Sequence, residues 1–196
     1  LSEIEDNGSN QYELSISDSG YEIGTERKFM LVTGHRRESF GQGFLDICKA
    51  LDRLAAAYPE IDIVYPVHLN PNVRKPVFSL LGNMANIYLI EPLQYPEFMY
   101  LMSRSYLILT DSGGIQEEGP SFGIPVLVMR DTTERPEGIE AGTVKLIGTT
   151  TIEIEKNVIE LISNPEKYQE MSQAGNPYGD GRASERILNA LERWFG

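Results

Sequence analysis

A doubly wound, parallel α/β sheet of Rossmann-like winding is the fold class this sequence predicts, and three observations predict it. Short runs rich in Val, Ile, Leu and Tyr recur along the chain, each only four to six residues long. Segments with apolar residues at spacings of three and four separate them. The runs are also apolar nearly throughout instead of alternating with polar residues, as strands covered on both faces are.

The elements follow in order. Residues Leu1 to Arg27 are polar and acidic, with Asn-Gly-Ser and Ser-Asp-Ser-Gly clusters and little periodicity, and read as a linker or tail (1–27). The domain proper is expected over 28–196 and opens with the strand-like run Lys28-Phe-Met-Leu-Val-Thr33. Gly43 to Ala57 follows as a helix, because Phe44, Ile47, Ala50, Leu51 and Leu54 fall on one face. Further strands are expected at Ile61–Tyr65, Asn86–Ile90, Tyr106–Leu109, Pro125–Val128 and Thr143–Ile147, with helices at Asn72–Leu81, Tyr95–Ser103 and Gly114–Phe122 between them. After Gly148 the chain reads as helical, over Thr151–Ser163, Pro165–Gln173 and Ala183–Trp194. Strand and helix in alternation, joined by right-handed crossovers, give the doubly wound arrangement.

Composition bounds the function. With a net charge of −12 the chain offers no broad basic face, which argues against nucleic acid and against an anionic membrane surface as partners. No apolar stretch approaches the roughly 20 residues of a membrane span. Cys48 is the only cysteine, which fits a reducing, cytoplasmic setting. The two histidines lie far apart with no cysteine pair, so no metal site is expected. The chain begins at Leu1 and not Met, as a fragment of a longer protein would.

In open α/β sheets ligands sit beyond the carboxyl ends of the strands. Four segments fall there: Gly34-His-Arg-Arg-Glu38, Pro66-Val-His68, Glu91-Pro-Leu-Gln94 and Asp111-Ser-Gly-Gly114. Both histidines of the chain are among them.

In Asp111-Ser-Gly-Gly-Ile-Gln-Glu-Glu118 the glycines let a phosphate approach the backbone, and amides at a helix start point at it. A carboxylate one turn later suits a ribose diol. No Gly-Lys-Ser/Thr follows, so this is not a Walker loop. The plainer reading is a capped turn with solvated glutamates; the strand-tip position favours a ligand. In Thr33-Gly-His-Arg-Arg-Glu38, His35 can give a proton to a leaving oxygen, and Arg36 and Arg37 suit phosphate oxygens. The same residues also suit a surface ion-pair patch. Spacing alone assigns His68 to bonding its own Pro/Asn-rich loop more than to a ligand. The loop Arg130-Asp-Thr-Thr-Glu-Arg-Pro136 reads as a charged helix start.

Taken together, T-G-H-R-R-E-S-F-G, Y-P-V-H-L-N-P-N-V, L-T-D-S-G-G-I-Q-E-E, P-V-L-V-M-R-D-T-T-E-R-P-E and N-P-Y-G-D-G closely resemble, in order and spacing, the C-terminal domain of the non-hydrolysing UDP-N-acetylglucosamine 2-epimerases. The resemblance covers about Lys28 to the chain end. It implies one half of a GT-B-like architecture, two Rossmann-like domains facing each other across a cleft. It implies that Ser112, Gly113, Gly114 and Arg37 hold the UDP phosphates, that Glu118 holds the ribose, and that uracil packs near Pro92, Leu93 and Phe98. His35 matches the family's catalytic histidine. Arg36 and His68 match positions at or near an activating UDP-sugar site, and Thr133, Glu134 and Arg135 are further candidates for the nucleotide site.

The implied reaction interconverts UDP-GlcNAc and UDP-ManNAc by elimination and re-addition of UDP. The resemblance implies no cofactor and no metal, and a homodimer in the full-length enzyme. The family's acid/base carboxylates come from an N-terminal domain outside this sequence. Two alternatives stay open: the C-terminal domain of a GT-B glycosyltransferase, and a non-catalytic UDP-sugar-binding module.

Overall fold

The computed structural model describes residues 16, 20–23, 27–34 and 41–195. The core strands form where the apolar runs lie: β1 (Phe29–Thr33), β2 (Asp62–Pro66), β3 (Ile87–Ile90), β4 (Leu107–Thr110), β5 (Val126–Val128) and β6 (Val144–Leu146). All neighbouring pairs are parallel, in the order β3-β2-β1-β4-β5-β6. The order reverses between β1 and β4, and that is the switch point at which a crevice opens beyond the carboxyl ends of such a sheet.

The helices are α1 (Gln42–Ala57), α2 (Pro71–Leu81), α3 (Tyr95–Arg104), α4 (Gly113–Glu118), α5 (Pro136–Glu140), α6 (Thr151–Ser163), α7 (Pro165–Ser172) and α8 (Ala183–Phe195). A 3-10 turn, Gly119–Phe122, continues α4. Local chemistry sets their ends. The Asn70 side chain accepts the amide of Asn72 to start α2, Thr150 accepts that of Glu153 to start α6, and Asn164 accepts those of Glu166 and Lys167 to start α7.

The two-residue period of the strands divides the core into two layers. Met30 and Val32, with Ile63, Tyr65, Leu107 and Leu109, pack against the apolar stripes of α1, α2 and α6. Phe29 and Leu31, with Val64, Ile108, Val126 and Val128, pack against α3 and α4 on the other side. Helices on both faces leave β1, β4 and β5 buried along their length, which is why those sequences are almost continuously apolar.

Close approach at one glycine seats α4. A methyl group on Gly119 would stand 2.7 Å from Val126 Cγ2 and 3.0 Å from Ile108 Cδ1, so only glycine lets this turn lie against β4 and β5. The segment read as a polar tail falls mostly outside the described residues. Within it, Ile16 and Tyr21 are buried in the α3 and α4 layer, and the Arg27 guanidinium pairs with buried Asp62 at 2.8 Å. These residues add to the core, a contribution their polar surroundings in sequence do not announce.

Helix α8 has the strongest two-sided character of the helices, yet none of its residues is buried. Ile187, Leu188, Leu191 and Trp194 line its apolar stripe in the open. No helix of the described residues is long and apolar enough to cross a membrane.

Candidate functional site

The switch point is built from the ends of β1 and β4. Thr33 and Thr110 are register partners across the two strands, and their hydroxyls meet at 2.6 Å although the residues lie 77 apart in sequence. Thr110 Oγ1 also accepts the amide of Ser112 at 3.0 Å, which fixes the turn from β4 into α4. On the β1 side, the Tyr65 hydroxyl donates to Gly34 O at 2.6 Å. Burial pushes the Tyr65 phenol well above its ordinary range, so it stays a neutral donor there.

At the top of this frame Ser112 is half-buried, Gly113 is buried and Gly114 is exposed. A methyl group at Gly114 would find only Ser112 Oγ, 3.9 Å away. Neither packing nor backbone conformation therefore demands glycine at that position. The Ser112 side chain makes no cap bond to the helix that follows it. Glu118 lies one turn further on, half-buried, and its Oε1 accepts from the Tyr95 hydroxyl at 3.2 Å. The Tyr95 phenol is held above its ordinary range by partial burial and then by the Glu118 charge and hydrogen bond.

A second loop, after β5, joins the first. Thr133 Oγ1 donates to Gln116 Oε1 at 2.6 Å and accepts the Arg135 amide at 3.1 Å. The Arg135 guanidinium pairs with Glu117, whose hydrogen bond raises the arginine's pKa further. Glu134 takes a two-pronged bond from buried Arg130, at 2.9 and 3.0 Å.

The structure thus places Ser112, Gly113 and Gly114 at the start of α4 and Glu118 at its end, and ties Thr133 and Arg135 to the same helix. Leu93 and Phe98 are half-buried against the apolar cluster that contains Ile115, with Pro92 exposed beside them in sequence. His68 lies at the end of β2, exposed, where its Nδ1 accepts the Asn70 amide at 3.1 Å. His35, Arg36 and Arg37 lie outside the described residues.

Three residues of this frame carry no mark in the sequence. Thr33 and Thr110 read as ordinary strand residues until register pairs them. Gln116 reads as one polar residue in a polar helix, and only its complete burial sets it apart from Glu117 and Glu118. Among the described residues no three His, Cys, Asp or Glu side chains converge as a metal site would require.

The chain is similar to known proteins along most of its length. The family described as UDP-N-acetylglucosamine 2-epimerase matches over residues 6–192. A UDP-N-acetylglucosamine 2-epimerase of Campylobacter jejuni is 62% identical over 178 residues, which cover 91% of this chain and 46% of the relative. One of Escherichia coli K12 is 59% identical over 170 residues, covering 87% and 45%. The crystal structure of the Neisseria meningitidis UDP-GlcNAc 2-epimerase bound to UDP-GlcNAc superposes with a TM-score of 0.86 at 49% identity, covering 94% of this chain and 48% of that one. The chain therefore spans about half the length of the relatives it matches.

Proposed function

The chain belongs to the UDP-N-acetylglucosamine 2-epimerase family, and from that premise we propose that it is the nucleotide-binding half of an enzyme that interconverts UDP-GlcNAc and UDP-ManNAc. The observation that carries the reading is Gly114. It is exposed at the tip of a fully buried strand, beside the sheet's switch point, with no internal reason to lack a side chain. A ligand that must reach the backbone supplies the reason.

In this reading the Ser112 hydroxyl and the amides of Gly113 and Gly114 take the pyrophosphate oxygens, and Arg37 adds a guanidinium. Glu118 accepts the ribose hydroxyls, already turned by Tyr95. Uracil lies against Pro92, Leu93 and Phe98. Thr133, Glu134 and Arg135 close the site from the β5 side. Arg36 and His68 belong to a second, activating UDP-sugar site beyond β1 and β2.

The chemistry asks two things of the protein. Removal of the C2 proton by a base and departure of UDP from C1 leave a 2-acetamidoglucal; re-addition of UDP at C1, with protonation of C2 on the opposite face, gives the epimer. The leaving pyrophosphate gathers negative charge, which preoriented amides and a protonated His35 stabilise at no reorganisation cost. The base is a carboxylate of the other domain of a GT-B-like pair. The working enzyme is a cytoplasmic homodimer that needs no metal or cofactor.

Calorimetric titration of the chain with UDP tests the reading: saturable heat is expected, with weak affinity because only one wall of the cleft is present. Absence of heat at millimolar UDP, on a folded sample, overturns it. For the full-length enzyme given UDP-GlcNAc without acceptor, UDP-ManNAc is the expected product; free ManNAc or no conversion points instead to a hydrolysing relative or a binding module.

A further inference from the structure

We propose that Gln116 is a positioning residue that couples the glycine turn after β4 to the loop after β5, so that the two respond to a nucleotide as one body. The functional part of this inference rests on the site reading above; the mechanical part stands on geometry alone.

Gln116 is completely buried, on the same short helix as two glutamates that are not. Both ends of its amide are used. Nε2 donates to Ser112 O at 3.2 Å, the carbonyl at the start of the helix. Oε1 accepts from Thr133 Oγ1 at 2.6 Å, across to the other loop. The series is continuous in both directions. Ser112 N is held by Thr110 Oγ1, which meets Thr33 Oγ1 on β1. Thr133 Oγ1 accepts the amide of Arg135, whose guanidinium returns to Glu117, the residue after Gln116. One chain of hydrogen bonds therefore runs from β1 through β4, Ser112 and Gln116 into the β5 loop, and back to α4.

The donor and acceptor pattern is specific. A carbonyl faces one end of the position and a hydroxyl donor the other, so the site needs one donor and one acceptor held a fixed distance apart. Glutamine supplies both and carries no charge. A buried amide has no water to fall back on, so breaking either bond leaves a polar group unpaired. That makes the link stiff, and stiffness is what a positioning contact needs. Thr133 acts in this scheme through Gln116 and not by touching the nucleotide itself.

The test is a double-mutant cycle on Gln116→Met and Thr133→Val in the full chain, read in two ways. The first readout is UDP affinity. Each single change is expected to weaken UDP about tenfold, the equivalent of ~1.4 kcal/mol, and the double change no more than either alone. Thr133→Ser keeps the hydroxyl and is expected to stay within about twofold of the parent. Additive losses, or unaltered affinity in Gln116→Met, overturn the proposal, because Thr133 would then act independently of Gln116. The second readout is amide hydrogen exchange without ligand. Thr133→Val is expected to speed exchange at residues 112–116 as Gln116→Met does; acceleration confined to 132–136 overturns the coupling. If the parent binds no UDP, the site reading fails while the exchange result still decides the mechanical link. If Gln116→Met does not fold, Thr133→Val and Thr133→Ser, made at a half-exposed residue, carry both readouts.

Discussion

Replacing Gly114 by alanine separates what the ligand needs from what the fold needs. The position is helical, its φ is not positive, and a Cβ there would meet nothing closer than Ser112 Oγ at 3.9 Å. For the free protein the change is therefore an ordinary helix substitution. Alanine is favoured over glycine in a helix by about 0.5–1 kcal/mol, so G114A is expected to unfold at slightly higher denaturant or temperature. For the ligand the same methyl group is an obstacle, since a phosphate oxygen bonded to a backbone amide sits about 2.9 Å from the nitrogen. Losing one hydrogen bond to a charged group costs about 1.5–3 kcal/mol, or roughly ten- to a hundredfold in affinity. The assay is a pair of measurements on one sample: denaturant unfolding followed by circular dichroism, and UDP titration by calorimetry. Greater stability with weaker binding is the expected pattern. Unchanged UDP affinity in a stable G114A protein would refute the assignment of this turn to the pyrophosphate.

The remaining predictions concern other parts of the frame. Gly119→Ala makes the opposite comparison: its Cβ would overlap Val126 and Ile108 at 2.7 and 3.0 Å, so a loss of about 1–3 kcal/mol in chemical denaturation is expected, and an unchanged midpoint would contradict the close seat of α4 on the sheet. Glu118→Gln should erase most discrimination between UDP and 2′-deoxy-UDP, and Tyr95→Phe should blunt it, because the tyrosine hydroxyl orients the carboxylate at 3.2 Å; equal discrimination in all three proteins would remove Glu118 from the ribose site. At high pH, Tyr168 should resist ionisation: burial against α7's docking surface pushes its phenol up to about 12, and its hydroxyl donates to Tyr106 O at 2.8 Å. Because the folded-state pKa is raised, the stability this phenol contributes is complete below its unfolded value of about 10 and is lost as pH climbs through about 12. Absorbance at the tyrosinate band should therefore rise in two stages, the later one with unfolding; one early stage including Tyr168 in an intact fold would contradict the burial.

The elements themselves were largely legible. The expected strand Tyr106–Leu109 and the observed Leu107–Thr110 differ by one residue at each end, and the expected helix Gly43–Ala57 gains only Gln42. Such agreement has a local cause. Strand and helix periods are written in which residues are apolar, and caps such as Asn70 and Asn164 act within three residues of themselves. The segment 1–27 was less legible, because Ile16 and Tyr21 are single apolar residues in polar surroundings and show no period that would announce their burial.

The site divides in the same way. Glycines after an apolar run, with a carboxylate one turn on, are a local pattern, and the sequence alone was enough to place Ser112, Gly113 and Gly114 at a strand tip with Glu118 on the helix that follows. It also determined the fold class, through strands apolar on both faces alternating with one-sided helices. Only the tertiary structure decided the strand order, and with it which tips are neighbours: Thr33 meets Thr110, and Thr133 reaches Gln116, through pairings that no short-range pattern encodes. The physical reason is that hydrogen-bond periodicity acts over a few residues, whereas β1 pairing with β4 closes a loop of more than seventy and depends on the summed burial of both layers. Nothing in the short-range pattern says that Gln116 is buried while Glu117 and Glu118 are not; that follows only once the sheet has formed.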